Sequence, residues 1–223
     1  MKDDFFPTVC VDNFFESPDT FKKLSQILEY KKCTNGFWPG ERTDSLHTIS
    51  QSIFDNFFAR FFRIYYDLEI EELNWNANLY FQKIKPFDDP ELNKGWIHSD
   101  FPCLIGGLVY LNENNDLNSG TSIFSCLNKD SFFLSPEEQE YKRKLFLGED
   151  IDLKKYKQLY NNYEKNFVET ARFNYVYNRM IAYDGSTHHR ANGFYGNEED
   201  ERLTLVFFVN EIKAKSVPLK RRY

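Results

Sequence analysis

Apolar residues recur at helical spacing in two stretches near the start of the chain. Ser17 precedes Pro18, an order typical of a helix N-terminus, and apolar side chains then recur every three or four positions. This pattern predicts a helix over residues 18–31. A second helix is predicted from Ser45 onward, where one apolar stripe continues over about five turns and indicates packing on a core. The members of this stripe are Leu46, Ile49, Ile53, Phe57, Phe61 and Ile64.

From Trp75 onward, apolar and polar residues alternate, which is typical of a half-buried β-strand. The apolar members are Trp75, Ala77, Leu79 and Phe81. Further strands are predicted between turn signals of Gly, Asn and Asp. They cover residues 103–111, 121–124, 173–183 and 202–209. The C-terminal two-thirds of the chain is therefore predicted to be mainly β.

One helical stretch interrupts the β pattern. Ser135, Pro136, Glu137 and Glu138 have the order of a capping box, and a helical pattern through Tyr156 and Phe167 continues to about residue 168. A helical insertion over about residues 125–170 is therefore predicted, and it is a candidate cover for a site. The whole chain, residues 1–223, is predicted to be a single domain, mainly β with α, in which a sandwich or barrel carries N-terminal helices.

Composition and charge narrow the classes of partner. Aromatic residues make up 18% of the chain, so a packed interior is expected. The formal net charge of -6 gives no uniformly basic surface, and we expect no obligate nucleic-acid partner. No apolar stretch is long enough for a membrane span, and the scattered cysteines lack a paired spacing. We therefore expect a cytoplasmic protein that does not bind membranes and whose cysteines are reduced core thiols.

Candidate chemistry is concentrated in two polar segments beside predicted strands. His98 and Asp100 are one residue apart, so an extended backbone places both side chains on the same face, where they can reach one metal ion. A third ligand is available from the adjacent pair His188 and His189. Two histidines and one carboxylate form a facial triad suited to Fe(II), although Zn(II) and Mn(II) accept the same ligands. Arg202 opens an otherwise apolar strand, and a buried guanidinium there needs an anionic partner.

The order of these motifs resembles the Fe(II)- and 2-oxoglutarate-dependent oxygenase superfamily. The strand, turn and strand over residues 109–112 and 120–124 look like those of prolyl-hydroxylase-like members. Residues 11–19 and 39–43 are similar, more weakly, to phage and bacterial members. The resemblance implies a double-stranded β-helix, or jelly roll, with Fe(II), 2-oxoglutarate as co-substrate and O2. It also implies a dioxygenase that hydroxylates its substrate and releases succinate and CO2.

The resemblance also implies roles for individual residues. His98, Asp100 and His189 are the expected metal ligands and catalytic residues, with His189 chosen because the basic and small residues Arg190 and Ala191 follow it. Arg202 and Tyr110 are expected to bind the far carboxylate of 2-oxoglutarate, and Thr204 and Tyr80 are further candidates for its site. Halogenating relatives lack the carboxylate that Asp100 supplies, so hydroxylation or desaturation is favoured.

Two other functions remain open on the sequence. A zinc-dependent hydrolase would use the same three ligands to activate water, but it needs a general base that the sequence does not clearly place. A non-catalytic jelly-roll binding module is the other alternative. The large aromatics Trp38, Trp96 and Phe101 could line a substrate pocket, but we interpret them as core residues, as aromatics beside strands usually are. The substrate, a small molecule or a protein, and the oligomeric state are not predicted.

Overall fold

The fold was analysed in a computed structural model that describes residues 6–113, 116–128, 133–195, 201–216 and 218. The helices are α1 (Pro18–Ile27), α2 (Leu46–Ile49), α3 (Gln51–Phe62), α4 (Pro136–Leu147) and α5 (Leu153–Glu164). The strands are β1 (Val9–Val11), β2 (Lys31–Lys32), β3 (Glu41–Arg42), β4 (Asn74–Ile84), β5 (Ile105–Tyr110), β6 (Thr121–Cys126), β7 (Phe167–Phe173), β8 (Met180–Asp184), β9 (His188–Ala191) and β10 (Arg202–Lys213). This mixture confirms the predicted class, mainly β with helices.

The strands form two antiparallel sheets. A seven-stranded sheet has the order β1-β8-β5-β10-β4-β3-β2, and a three-stranded sheet has the order β7-β6-β9. Buried side chains of both sheets, such as Leu108, Val206 and Ile123, meet in one cluster between them. The two sheets therefore pack face to face as a sandwich, which is the arrangement that the strand pattern predicted.

The outer face of the larger sheet is covered by α3. The buried ring of Phe207 on β10 lies with its centroid 4.8 Å from that of Phe61 and 5.2 Å from that of Phe57. Period-two alternation explains this contact, because Leu203, Leu205 and Phe207 face the helix while Arg202 and the even-numbered positions face the other sheet. The same core cluster contains all three apolar residues. The main core therefore lies outside the sandwich, which leaves the space between the sheets free for polar side chains.

The predicted helices needed three corrections. The first helix ends at Ile27, and residue 31 already begins β2. The second is broken at Ser50, whose extended backbone (φ -155°, ψ 98°) separates α2 from α3 and leaves Ile49 exposed. Serine competes for backbone hydrogen bonds and favours helix ends, so the apolar stripe alone did not show the break. The third helix, α5, ends at Glu164, and Phe167 begins β7.

Residues 173–183 contain the end of one strand, a loop and a second strand rather than the single strand predicted. β7 ends at Phe173, and β8 begins at Met180. Between them, Asn178 adopts a left-handed backbone with φ of 60°, and its side chain bonds the backbone N and O of Phe15 at 2.8 Å each. Asparagine tolerates this conformation better than most residues do. The loop is therefore an anchor for the N-terminal segment, which a pattern of apolar residues cannot reveal.

The predicted insertion contains α4 and α5, and residues 129–132 of it lie outside the described residues. Ser135 and Glu138 form the predicted capping box at the start of α4. The insertion also includes most of β7, which pairs with β6 in the smaller sheet. It is therefore part of the sandwich as well as an excursion from it.

The structure also bears on two predictions, one about a membrane span and one about the cysteines. Within the described ranges, no helix combines the length and apolarity that crossing a membrane requires. The four cysteines are free thiols, but only Cys33 is buried, whereas Cys10 is exposed and Cys103 and Cys126 are intermediate. The prediction of core thiols is therefore wrong for Cys10, Cys103 and Cys126.

We expect Phe61→Ala to lower the free energy of unfolding by about 3 to 5 kcal/mol, because it removes a fully buried ring and leaves a cavity. Urea denaturation followed by circular dichroism measures this change. The control is Ile70→Ala, which removes a side chain that is 84% exposed and should change stability by less than about 0.5 kcal/mol. Equal effects of the two substitutions would contradict the assigned core.

Candidate metal centre

Three predicted ligand side chains converge at one end of the sandwich. His98, Asp100 and His189 each offer a ligand atom, and these atoms lie within 4.8 Å of one another. Nε2 of His98 is 3.7 Å from Oδ1 of Asp100, and Nε2 of His189 is 3.5 Å from Oδ2 of the same carboxylate. Among the residues that the structure describes, this is the cluster of histidine, cysteine and acidic side chains able to hold a metal ion.

Backbone carbonyls fix the orientation of both imidazoles. Nδ1 of His98 donates to the Trp96 carbonyl at 2.8 Å, and Nδ1 of His189 donates to the Thr187 carbonyl at 2.9 Å. A carbonyl oxygen only accepts, so each ring carries its proton on Nδ1 and presents the Nε2 lone pair to the cluster. Burial, and then the nearby His189, hold the pKa of His98 well below its ordinary value. Both effects favour the neutral form that coordinates a metal.

The segments that carry the ligands are paired through their backbones. His98 and His189 exchange two hydrogen bonds of 3.1 and 2.8 Å in an isolated antiparallel bridge at the free edge of β9. The Asp100 N–H donates to the Gly185 carbonyl at 2.8 Å. Asp184 then accepts from the N–H and hydroxyl of Ser186, which fixes the tight turn into β9. The position of all three ligands therefore depends on backbone geometry.

Gly106 leaves the space that the Asp100 carboxylate occupies. A Cβ atom built on Gly106 would lie 2.2 Å from Oδ2 of Asp100 and 3.0 Å from the ring of Tyr183. The next residue, Gly107, points to the opposite face, where a Cβ atom would lie 2.3 Å from the ring of Phe207. Sequence reasoning missed Gly106, although adjacent glycines inside a strand signal a close approach.

The two adjacent histidines separate as an extended strand requires. His189 joins the cluster, whereas His188 is buried against the ring of Phe167, with the centroids 5.0 Å apart. β9 pairs with β6 in this register, so Phe124 lies opposite His188 and Ile123 lies opposite His189. His47, the fourth histidine, is exposed on α2 and bonds Ser45.

A cavity between the sheets extends from the three ligands to Arg202 and Thr204 on β10. Arg202 is 2% exposed, and its Nη1 donates to the carbonyls of Ser119 and Gly193 at 2.7 Å each. Within the described residues no carboxylate lies within ion-pair distance of Arg202. The structure therefore brings two of the four residues predicted to bind 2-oxoglutarate into one cavity with the ligands.

The other two predicted residues, Tyr110 and Tyr80, are not among the side chains that line the cavity. The Tyr110 hydroxyl is 2.8 Å from the hydroxyl of Thr121, which does line the cavity, and the Arg202 guanidinium lies 5.3 Å from the Tyr110 ring centroid. Burial raises the pKa of Tyr110, so its hydroxyl stays protonated. Tyr80 is half-buried beside a different arginine, Arg42, at 5.8 Å. Tyr110 therefore supports Arg202, and Tyr80 supports Arg42.

Several residues that line the cavity were not predicted. Arg42 and Lys142 bring two further cationic groups, and Gln82 contributes a buried amide. Trp38 and Trp96, interpreted as core residues, also line the cavity, although Trp96 is fully buried as expected. The third of those aromatics, Phe101, is 69% exposed, so its core assignment was wrong. Arg42 lies within residues 39–43, the segment that is weakly similar to phage and bacterial oxygenases. That similarity was the signal in the sequence that could have identified Arg42 as a site residue.

Known structures share this fold. HygX from Streptomyces hygroscopicus, solved with nickel, 2-oxoglutarate and hygromycin B bound, is 12% identical with a TM-score of 0.50, over 92% of this chain and 82% of that one. EvdO2 from Micromonospora carbonacea var. aurantiaca is 11% identical with a TM-score of 0.50, over 96% and 90%. An oxidoreductase of the 2OG-Fe(II) oxygenase family from Burkholderia pseudomallei is 11% identical with a TM-score of 0.47, over 96% and 88%. The fold is the predicted jelly roll, and HygX and EvdO2 share it.

Sequence comparison identifies a family without assigning it a reaction. No curated protein matches the chain. The model of a family of unknown function matches residues 2–209, nearly the whole sequence, and the chain belongs to this family, DUF6445.

Proposed function

We propose that this protein is an Fe(II)- and 2-oxoglutarate-dependent dioxygenase that hydroxylates an organic substrate. The observation that carries the proposal is the convergence of His98, Asp100 and His189 in one cavity with Arg202. Arg202 is buried, and among the described residues no carboxylate lies within ion-pair distance of it. In the reaction, one atom of O2 enters the product hydroxyl and the other enters succinate, while 2-oxoglutarate loses CO2. The two electrons removed from the substrate C–H bond and the two released by this decarboxylation together reduce O2.

The donor set fits Fe(II). His98, His189 and Asp100 would hold the ion, and this donor set would leave positions for a chelating co-substrate and O2. When bound, the iron supplies the oxidising chemistry, and the protein's residues orient the reactants and exclude water. His98 and His189 are fixed through Nδ1, and Asp100 is held against Gly106, so each ligand has one favoured geometry.

Arg202 provides the site for the far carboxylate of 2-oxoglutarate. Nη1 bonds both backbone carbonyls, so the N–H groups of Nε and Nη2 are not used by Ser119 and Gly193. A planar guanidinium pairs with a carboxylate through two parallel hydrogen bonds. Thr204 lies two residues farther along the same face of β10 and lines the same cavity. Its hydroxyl is placed to donate a further hydrogen bond to that carboxylate.

A zinc-dependent hydrolase is less well supported by the cavity. Such an enzyme needs a general base beside the metal-bound water. Among the described residues that line the cavity, Asp100 is the sole carboxylate, and it is already assigned as a ligand. The remaining charged groups, Arg42, Lys142 and Arg202, are cations suited to binding anions.

Substitution of the two adjacent histidines tests the ligand assignment. His189→Ala should abolish the visible charge-transfer band that Fe(II) and 2-oxoglutarate form under anaerobic conditions, because it removes one of three ligands. His188→Ala is the matched control and should largely keep the band, because His188 packs against Phe167. The reverse pattern would assign the ligand to His188.

Adjacent glycines test whether Asp100 must lie in its present place. Gly106→Ala should weaken Fe(II) binding by at least about tenfold, because its methyl group would displace the Asp100 carboxylate. Gly107→Ala should lower stability against denaturation but spare Fe(II) affinity in the folded fraction, since its methyl group meets Phe207 on the core face. Fe(II) affinity of folded Gly106→Ala protein equal to that of the unmodified protein would contradict the assignment.

Arg202→Ala should cost about 2 to 5 kcal/mol in 2-oxoglutarate affinity, because a charge-assisted pair is lost. Metal affinity should change little, since Arg202 contacts none of the ligands. Arg202→Lys keeps the charge but loses the planar pair of hydrogen bonds. Its affinity for 2-oxoglutarate should therefore lie between those of the unmodified protein and Arg202→Ala. Anaerobic titration of the charge-transfer band gives each dissociation constant, and an unchanged value for Arg202→Ala would refute this role.

A further inference from the structure

The cavity contains more positive charge than the proposed reaction uses. Its described lining includes the cations Arg42, Lys142 and Arg202, with Asp100 as the sole carboxylate. 2-Oxoglutarate has two carboxylates, of which the proposed function assigns one to the metal and the other to Arg202. Arg42 and Lys142 then share the cavity with Asp100 as the sole described carboxylate, and neither forms an ion pair with a described residue, so an additional anion would be favourable there.

Arg42 is held in place but incompletely paired. Within the described residues, the Arg42 side chain makes one hydrogen bond, from Nη2 to Oε1 of Gln82 at 3.3 Å, and no ion pair. Its Nε is buried and has no hydrogen-bond partner among these residues. The guanidinium lies 4.5 Å from the Trp38 ring centroid and 5.3 Å from that of Phe208. Burial lowers the pKa of Arg42 to about 10, so the group still carries its charge at neutral pH.

The surrounding backbone presents Arg42 to the cavity. β3 pairs with β4 so that Arg42 lies opposite Gln82, and Gln82 in turn donates to the Pro39 carbonyl at 2.8 Å. Gly40 makes the turn into β3 with φ of 75°, and a Cβ atom there would lie 2.0 Å from the Lys83 carbonyl. The arginine is therefore fixed by strand pairing and by its partner amide, as a recognition group must be.

Lys142 enters the same cavity from α4. Its ammonium group makes no hydrogen bond or ion pair with a described residue, and it lies 5.8 Å from the Phe146 ring centroid. Burial lowers its pKa, while Asp100 acts in the opposite direction. Its neighbour Lys144 differs, since it pairs with Glu140 at 3.5 Å on the same helix. Lys142 is therefore the α4 lysine that remains available to an anionic ligand.

We propose that the primary substrate is an organic acid, and that Arg42, assisted by Lys142, binds its carboxylate. This inference rests on the proposed function, which assigns both 2-oxoglutarate carboxylates elsewhere. The planar Arg42 group matches a carboxylate, and the rings of Trp38, Phe146 and Phe208 provide apolar contact for the organic part of the substrate. Because the same cavity contains His98, the C–H bond that is hydroxylated lies near the bound carboxylate.

A matched acid and amide test this inference. The probes are 3-phenylpropionate and 3-phenylpropanamide, which share one skeleton and differ in the charged group, with inorganic phosphate as a third probe. Each is titrated calorimetrically into the anaerobic protein loaded with Fe(II) and 2-oxoglutarate. We expect the acid to bind at least about tenfold more tightly than the amide, and phosphate to leave acid binding unchanged. Equal binding of acid and amide, or displacement of the acid by phosphate, would overturn the proposal.

Variants assign the preference to particular residues. Arg42→Gln should remove the preference for the acid while 2-oxoglutarate still forms the charge-transfer band with an affinity within about twofold of the unmodified protein. Lys142→Gln, a second variant that does not alter the β3 pairing, should weaken acid binding, whereas Lys144→Gln should not. A preference that survives in both Arg42→Gln and Lys142→Gln overturns the inference, and so does loss of 2-oxoglutarate binding in Arg42→Gln. Absence of the band in the unmodified protein would instead refute the proposed function.

Discussion

The candidate site depends on backbone pairing between residues 95–104 and residues 184–191. Gly95 donates to Ala191, His98 and His189 exchange two bonds, Asp100 donates to Gly185, and Gly185 donates to Leu104. No ligand lies within a long regular strand of the larger sheet, so without this pairing His98 and Asp100 would be in a free loop. Backbone hydrogen bonds are insensitive to side-chain identity, and they hold the three donor atoms within a few ångströms before any ion binds.

Tyrosines of α5 support the same segment from outside. The hydroxyls of Tyr160 and Tyr163 donate to the carbonyls of Gly95 and Ile97 at 3.0 and 3.2 Å, and the Trp96 indole N–H donates to Tyr156 at 3.0 Å. The two tyrosine hydroxyls thus satisfy backbone carbonyls just before His98, and Tyr156 satisfies the buried indole N–H of Trp96. The insertion therefore has two roles, because α5 holds the segment that contains His98 and Asp100 while α4 contributes Lys142 to the cavity. A simple lid could be removed without loss of the site, whereas α5 could not.

The sequence predicted those features in which local pattern and tertiary role coincide. β4 follows from period-two alternation, and β10 follows from an apolar stretch bounded by turn signals. The alternation of side chains along β10 then places Arg202 and Thr204 on the cavity face. The spacing of His98 and Asp100 gave the ligand pair for the same reason. Arg42 and Lys142 could not be assigned, because their relation to the metal site depends on where β3 and α4 pack. The break at Ser50 was equally invisible, since the apolar stripe continues across it.

Aromatic rings explain how the fold holds two arginines, Arg42 and Arg202, that form no ion pair with any carboxylate of the described residues. The Arg202 guanidinium lies 5.3 and 5.4 Å from the ring centroids of Tyr110 and Tyr175, and the Arg42 guanidinium lies 4.5 Å from that of Trp38. Cation–π contacts offset part of the desolvation cost but leave the edge of a guanidinium available for hydrogen bonds. A carboxylate of the protein would neutralise the charge fully and would compete with a ligand. Aromatic rings are therefore better neighbours than carboxylates for these two arginines. They stabilise each guanidinium in the free protein and still allow it to bind an anionic ligand.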